Sequence, residues 1–73
     1  MFGRILFENR TREKLSQEQL AISLSHKYQV PISKSMICRW ENGTQPLLKH
    51  AIVVIDFFNV NPNLLFKVQL TRR

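Results

Sequence analysis

Ser35, Arg39 and Asn42 are the residues of this chain best spaced to do chemistry together, because they share one side of a short amphipathic segment running from Ile32 to Gly43. With Ile37 as reference and about 100° per residue, Trp40 falls near about −60° and Glu41 near about +40°, while those three fall on the opposite side. The outward edge is polar and cationic, and its chemistry is contact through charge and hydrogen bonds. Bond making has no candidates: there is no carboxylate pair, no Ser-His pair and no Gly-rich phosphate loop, so an enzyme is not expected. His26 and His50 lie far apart without Cys or carboxylate at ligand spacing, and Cys38 is the single cysteine, so neither a metal site nor an internal disulfide is expected. No cofactor and no small-molecule substrate is implied.

The charge balance says what that edge would touch. Eleven Lys and Arg against five Asp and Glu leave a formal charge of +6, which draws a protein toward polyanions before any specific contact forms. Nucleic acid is the first candidate partner and an anionic membrane the second; a charge that only keeps the surface solvated is the third reading. No apolar run is long enough to cross a bilayer and the first residues lack a signal-peptide pattern, so the expected compartment is a reducing cytoplasm. With 73 residues, 44% of them hydrophobic, and only two Gly and three Pro, the chain reads as one all-α domain over residues 1–73 with a modest core.

The elements that would position the edge are written in caps and periodicities. Apolar spacing from Phe2 predicts a first helix to about Glu13, ended by Lys14 and Leu15. Ser16 with Gln19 makes a capping box and Leu15 with Leu20 a hydrophobic staple, so a second helix starts there. It carries Leu20, Ala21, Leu24 and Tyr28 on one face to about Lys27 or Tyr28, and Pro31 forbids its continuation. Ser33 as N-cap and Gly43 as the C′ residue bound the third helix. Pro46 is suited to be the first residue of a fourth helix reaching Phe58, with Ala51, Val54, Ile55 and Phe58 as the stripe toward the core. Leu47, Leu48, Ile52, Val53 and Phe57 lie off that stripe, which leaves this helix almost no wet side and suggests that part of it meets another chain. Asn61 and Pro62 would open a short fifth helix with Leu64, Leu65 and Phe66, followed by a basic tail from Val68 to Arg73.

Ser16 to Ala21, SQEQLA, and Ser33 to Gly43, SKSMICRWENG, resemble the two halves of the Cro/repressor type of helix-turn-helix, also called the XRE type. Arg10, Pro46 and the segment from Val60 to Leu65 also match that pattern. The resemblance implies an all-α, five-helix, lambda-repressor-like DNA-binding domain with its helix-turn-helix at about residues 16–43. Carried over residue by residue, it implies that Arg10 pairs with Glu41 inside the domain, in agreement with the helical wheel. Gln17 would touch a phosphate at the start of helix two, and Asn42 and Thr44 would touch the backbone after helix three. Lys34, Ser35 and Arg39 would face base edges, and the Arg39 fork can grip guanine O6 and N7. Ile37 and Trp40 would be core. Two departures mark the chain: the connection between Ala21 and Ile32 is longer than in the tightest members, and Ser35, Met36 and Cys38 at reading positions offer few bidentate hydrogen bonds.

Two functions follow from this resemblance and from the greasy fourth helix. One is a sequence-specific regulator of transcription, repressor-like, acting on double-stranded DNA in the cytoplasm of a bacterial host as part of a bacterial or temperate-phage switch. It would act as a homodimer joined through Leu48, Ile52, Phe57, Leu64 and Phe66. The other is an antirepressor or modulator that uses the same apolar residues to bind a partner repressor as a heterodimer and alter its hold on DNA.

Overall fold

The computed structural model describes residues 1–61, and within them the chain is all-helical: α1 (Phe2–Arg12), α2 (Gln17–Tyr28), α3 (Lys34–Glu41) and α4 (Leu48–Phe58), with no strand among the described residues. The expected fifth helix, with Leu64, Leu65 and Phe66, and the basic tail lie outside the described residues. No helix among the described residues is long and apolar enough to cross a membrane.

Helix ends follow local chemistry. α1 stops in a Schellman turn in which the Lys14 amide donates to the Thr11 carbonyl at 3.0 Å and the Leu15 amide to the Arg10 carbonyl at 3.1 Å. Lys14 sits there at φ 59°, the left-handed region where glycine is the easier residue. The capping box of α2 is present in full: the Gln19 amide donates to Ser16 Oγ at 2.9 Å and the Ser16 amide to Gln19 Oε1 at 2.8 Å. α2 ends at Gln29, itself left-handed at φ 58°, so the turn is made before Pro31 is reached. α4 begins two residues later than Pro46 suggests. Leu47 is its extended N-cap and supplies no side-chain cap, and Pro46 stays in the loop.

Leu6, Leu20, Leu24 and Ile37 are fully buried and form one core with Ala21, Ile32, Trp40, Val53 and Val54. Ala51 and Val54 of the expected α4 stripe are buried, whereas Ile55 and Phe58 are half-buried and His50 and Val53 take the inner places. The helix is turned toward His50 and Val53 because the His50 ring lies against Trp40, centroids 5.3 Å apart. α1 approaches α3 through Gly3, where a Cβ would run into the Trp40 carbonyl oxygen. α2 and α4 are joined by the Tyr28 hydroxyl, which donates to Asp56 Oδ2 at 2.6 Å. Burial and that carboxylate push the Tyr28 pKa up to about 12.

Candidate nucleic-acid interface

α3 is only eight residues long, too short to persist alone, so its position depends on its ends and its inner face. At the start, Ser33 Oγ accepts from the Met36 amide at 3.2 Å, and the Met36 thioether sulfur accepts from the Ser33 amide at 3.4 Å, a capping box with sulfur where Glu or Gln is usual. At the end, the Gly43 amide donates to the Trp40 carbonyl at 3.1 Å and the Thr44 amide to the Arg39 carbonyl at 2.9 Å. Gly43 takes φ 108°, so the C′ glycine that the sequence announces closes a Schellman turn.

The inner face carries Ile37 and Trp40, buried as expected, and Glu41. Arg10 grips Glu41 with both prongs: Nε donates to Oε2 at 2.6 Å and Nη2 to Oε1 at 3.0 Å. The side chains of the pair are only 11% and 8% exposed, and a bidentate, charge-assisted geometry of this kind fixes orientation as well as energy. Arg10 Nη1 also donates to the Leu15 carbonyl at 2.8 Å, tying in the turn between α1 and α2.

Gln17 belongs to this network too. Its amide Nε2 donates to Glu41 Oε1 at 2.9 Å, so the side chain expected on a phosphate is engaged, half-buried, by the ion pair. One amide proton remains on it. The Gln17 and Glu18 backbone amides, at the open end of α2, remain suited to an anion.

The outer side of α3 is different in kind. Ser35 and Arg39, opposite Ile37, are exposed, as are Lys34 at the first residue of α3 and Asn42 and Thr44 just past its last. Among the described residues the Lys34 and Arg39 side chains make no hydrogen bond, ion pair or ring contact, and neither do those of Lys14 and Lys49, whereas other cations do. Arg4 pairs with Glu8 and Arg12 holds the Asn9 side chain, while Lys27 lies over the Tyr28 and Phe57 rings. Asn42 uses one amide proton on the Cys38 carbonyl at 2.8 Å, with Cys38 Sγ at 3.5 Å. Met36 and Cys38 are half-buried, and Met36 packs against the core rather than standing on the reading edge.

The long connection before α3 is held by a contact that sequence reasoning misses. Ser25 Oγ donates to the Ile32 carbonyl and accepts from the Ile32 amide, both at 2.9 Å, and Ile32 is buried. One hydroxyl thus pins the turn to α2 and aims the start of α3. A serine inside a helix face carries no signal for a partner seven residues on. His50 is missed as a core residue for a similar reason, since a histidine in an apolar helix does not announce a tryptophan from another helix. Its burial, and secondarily the charge of Lys49, lower its pKa below the usual 6.5.

Of the residues expected at a chain-chain contact, Leu48 and Ile52 are 65% and 53% exposed, as is Leu47 beside them at 63%. Phe57 is not free in the same way: it is half-buried, packed on the core, with its ring 5.0 Å from that of Phe58. Leu64 and Phe66 lie outside the described residues. Comparison of the chain with protein-family models, with curated proteins and with solved structures returned no match.

Proposed function

We propose that the chain is a small regulator of transcription that binds double-stranded DNA, with α2 and α3 as its helix-turn-helix and the outer side of α3 laid in the major groove. The observation that carries this reading is that Arg39, on the side of α3 opposite Ile37, and Lys34, at its N-terminal end, are exposed and without side-chain partners on a helix whose inner side is locked down by buried contacts and a bidentate ion pair. Arg39 supplies the base-edge fork and Lys34 charge, while Thr44, Asn42 and the first amides of α2 face phosphates. In this reading the four helices are the first four of a five-helix, lambda-repressor-like domain of the Cro/repressor type. The protein acts in the cytoplasm of a bacterial host, blocks polymerase by occupying an operator, and does so as a homodimer because one module makes too few contacts.

The exposed Leu47, Leu48 and Ile52 favour a second reading, in which the chain is an antirepressor that pairs with a partner repressor and changes its DNA binding. Duplexes selected from a random-sequence pool, titrated at several salt concentrations, separate the two. DNA binding gives a log K that falls by about 0.9 per log unit of salt for each phosphate neutralised. Arg39→Ala then relaxes the sequence preference at a cost of about 1–3 kcal/mol. If no duplex is selected, or Arg39→Ala leaves affinity and preference unchanged, the first reading fails.

A further inference from the structure

The N-terminal ends of α1 and α4 and the loop after α3 enclose a groove of about 430 Å³. Its floor is Trp40 and Ala51 and its walls include Phe2, Pro46 and Leu48, against which an apolar side chain would lie, while Thr44 and Gln45 make a polar edge. Among the described residues, none that lines it is acidic. Among the described helices α1 and α4 lack both a side-chain cap and an acidic first turn, whereas α2 and α3 carry capping boxes. Unneutralised helix ends favour an anion, and Lys49, outside the lining but next to Leu48 in the first turn of α4, is exposed.

We infer that this groove docks an acidic segment of a partner protein through one bulky apolar side chain. Charge decides the occupant: none of the described residues lining the groove is acidic, so carboxylates flanking an apolar anchor would meet the two helix ends and, next to Leu48, the exposed Lys49. Trp40 points away from the side that carries Ser35 and Arg39. The groove lies on the other side of α3 from Ser35 and Arg39, and it meets the proposed DNA-binding surface at Thr44, which lines the groove.

Trp40 is the sole tryptophan, which makes its indole the reporter. The isotope-labelled chain is titrated with the acetylated peptide Asp-Glu-Phe-Asp-Glu-Leu-Asp, and with the same peptide carrying Lys for every acid. Binding of the acidic peptide shifts the Trp40 indole and the Gly43 and Ala51 amides, and the basic peptide leaves them in place. Leu48→Glu, at an exposed position, weakens binding about tenfold or more, equivalent to about 1.4 kcal/mol. Lys49→Glu weakens it less, and Arg39→Ala leaves it unchanged.

Absence of shifts at millimolar peptide, equal binding of both peptides, or insensitivity to Leu48→Glu overturns the inference. So do shifts confined to Lys34 and Arg39, which mean that the peptide only mimics DNA, and shifts of Trp40 on simple dilution, which make a second copy the occupant.

Discussion

α3 and α4 are built in opposite ways, and the contrast shows what decides where a helix sits. α3 mixes charge with apolar residues, yet each of its ends is closed by side chain or Schellman turn and its inner side holds Ile37, Trp40 and the Arg10–Glu41 pair. α4 is apolar almost throughout, starts without a side-chain cap, and leaves Leu47, Leu48 and Ile52 more than half exposed. Apolar content says that some face will be buried; caps, a close-approach glycine and a paired charge say which one. The helix with specific contacts inside is the one that can offer a fixed polar edge outside. The helix without them offers adhesive surface.

The sharpest test of that contrast removes the charge at the centre of the α3 contacts. Glu41→Ala leaves the Arg10 guanidinium buried without its carboxylate and should cost about 3–5 kcal/mol, enough to unfold a domain this small, read by urea denaturation. The double variant Arg10→Met with Glu41→Leu should regain most of the loss, because an apolar pair of similar volume leaves no unpaired charge. If Glu41→Ala alone costs less than about 1 kcal/mol, α3 is held by its apolar contacts and its difference from α4 is one of degree. Next in size is Gly3→Ala. The new Cβ meets the Trp40 carbonyl, which is backbone and cannot swing away, so α1 and α3 must separate at a cost of about 1–3 kcal/mol.

A smaller effect tests the place where the two helices meet. His50 is buried against Trp40 and its folded-state pKa is lowered, by burial first and by Lys49 second. In the unfolded chain it takes a proton at its ordinary pKa near 6.5, so the folded state binds fewer protons below that pH. Stability is therefore fully present above about pH 6.5 and declines as pH falls through and below it. Thermal melts across that range should show the decline, and His50→Phe, which keeps a ring against Trp40, should remove it. A slope that survives the substitution assigns the pH dependence to another group and leaves the seam between α3 and α4 insensitive to charge.

Much of this arrangement is legible in the amino-acid sequence, and what is legible rests on local rules. Ser16 with Gln19, Ser33 and Gly43 act within a few residues of themselves, and each forms the cap its type and position imply. The inward turn of Glu41 follows from helical period alone, and its partner Arg10 from the resemblance. What stays hidden depends on residues distant in sequence: the Ser25 clamp on Ile32, the Gly3 contact with Trp40, and the hold of Glu41 on Gln17. The rotation of α4 is hidden for a further reason. When nearly every position is apolar, period assigns no face, and the His50–Trp40 contact settles it instead.

The smallest expected effect is at Leu48, and it tests whether the exposed side of α4 belongs to the fold at all. Leu48 is 65% exposed, so Leu48→Ser gives up little buried area and should change stability by about 0.5 kcal/mol or less. A loss several times larger would mean that Leu48 is covered in the folded protein. Repeating the melt at several protein concentrations then identifies the cover. A loss that grows with concentration comes from a second copy, because only association couples stability to protomer concentration. A loss independent of concentration comes from the same chain. A negligible loss leaves Leu48 as surface that the fold does not use, and the reason for an exposed leucine there must then be sought in something the protein binds.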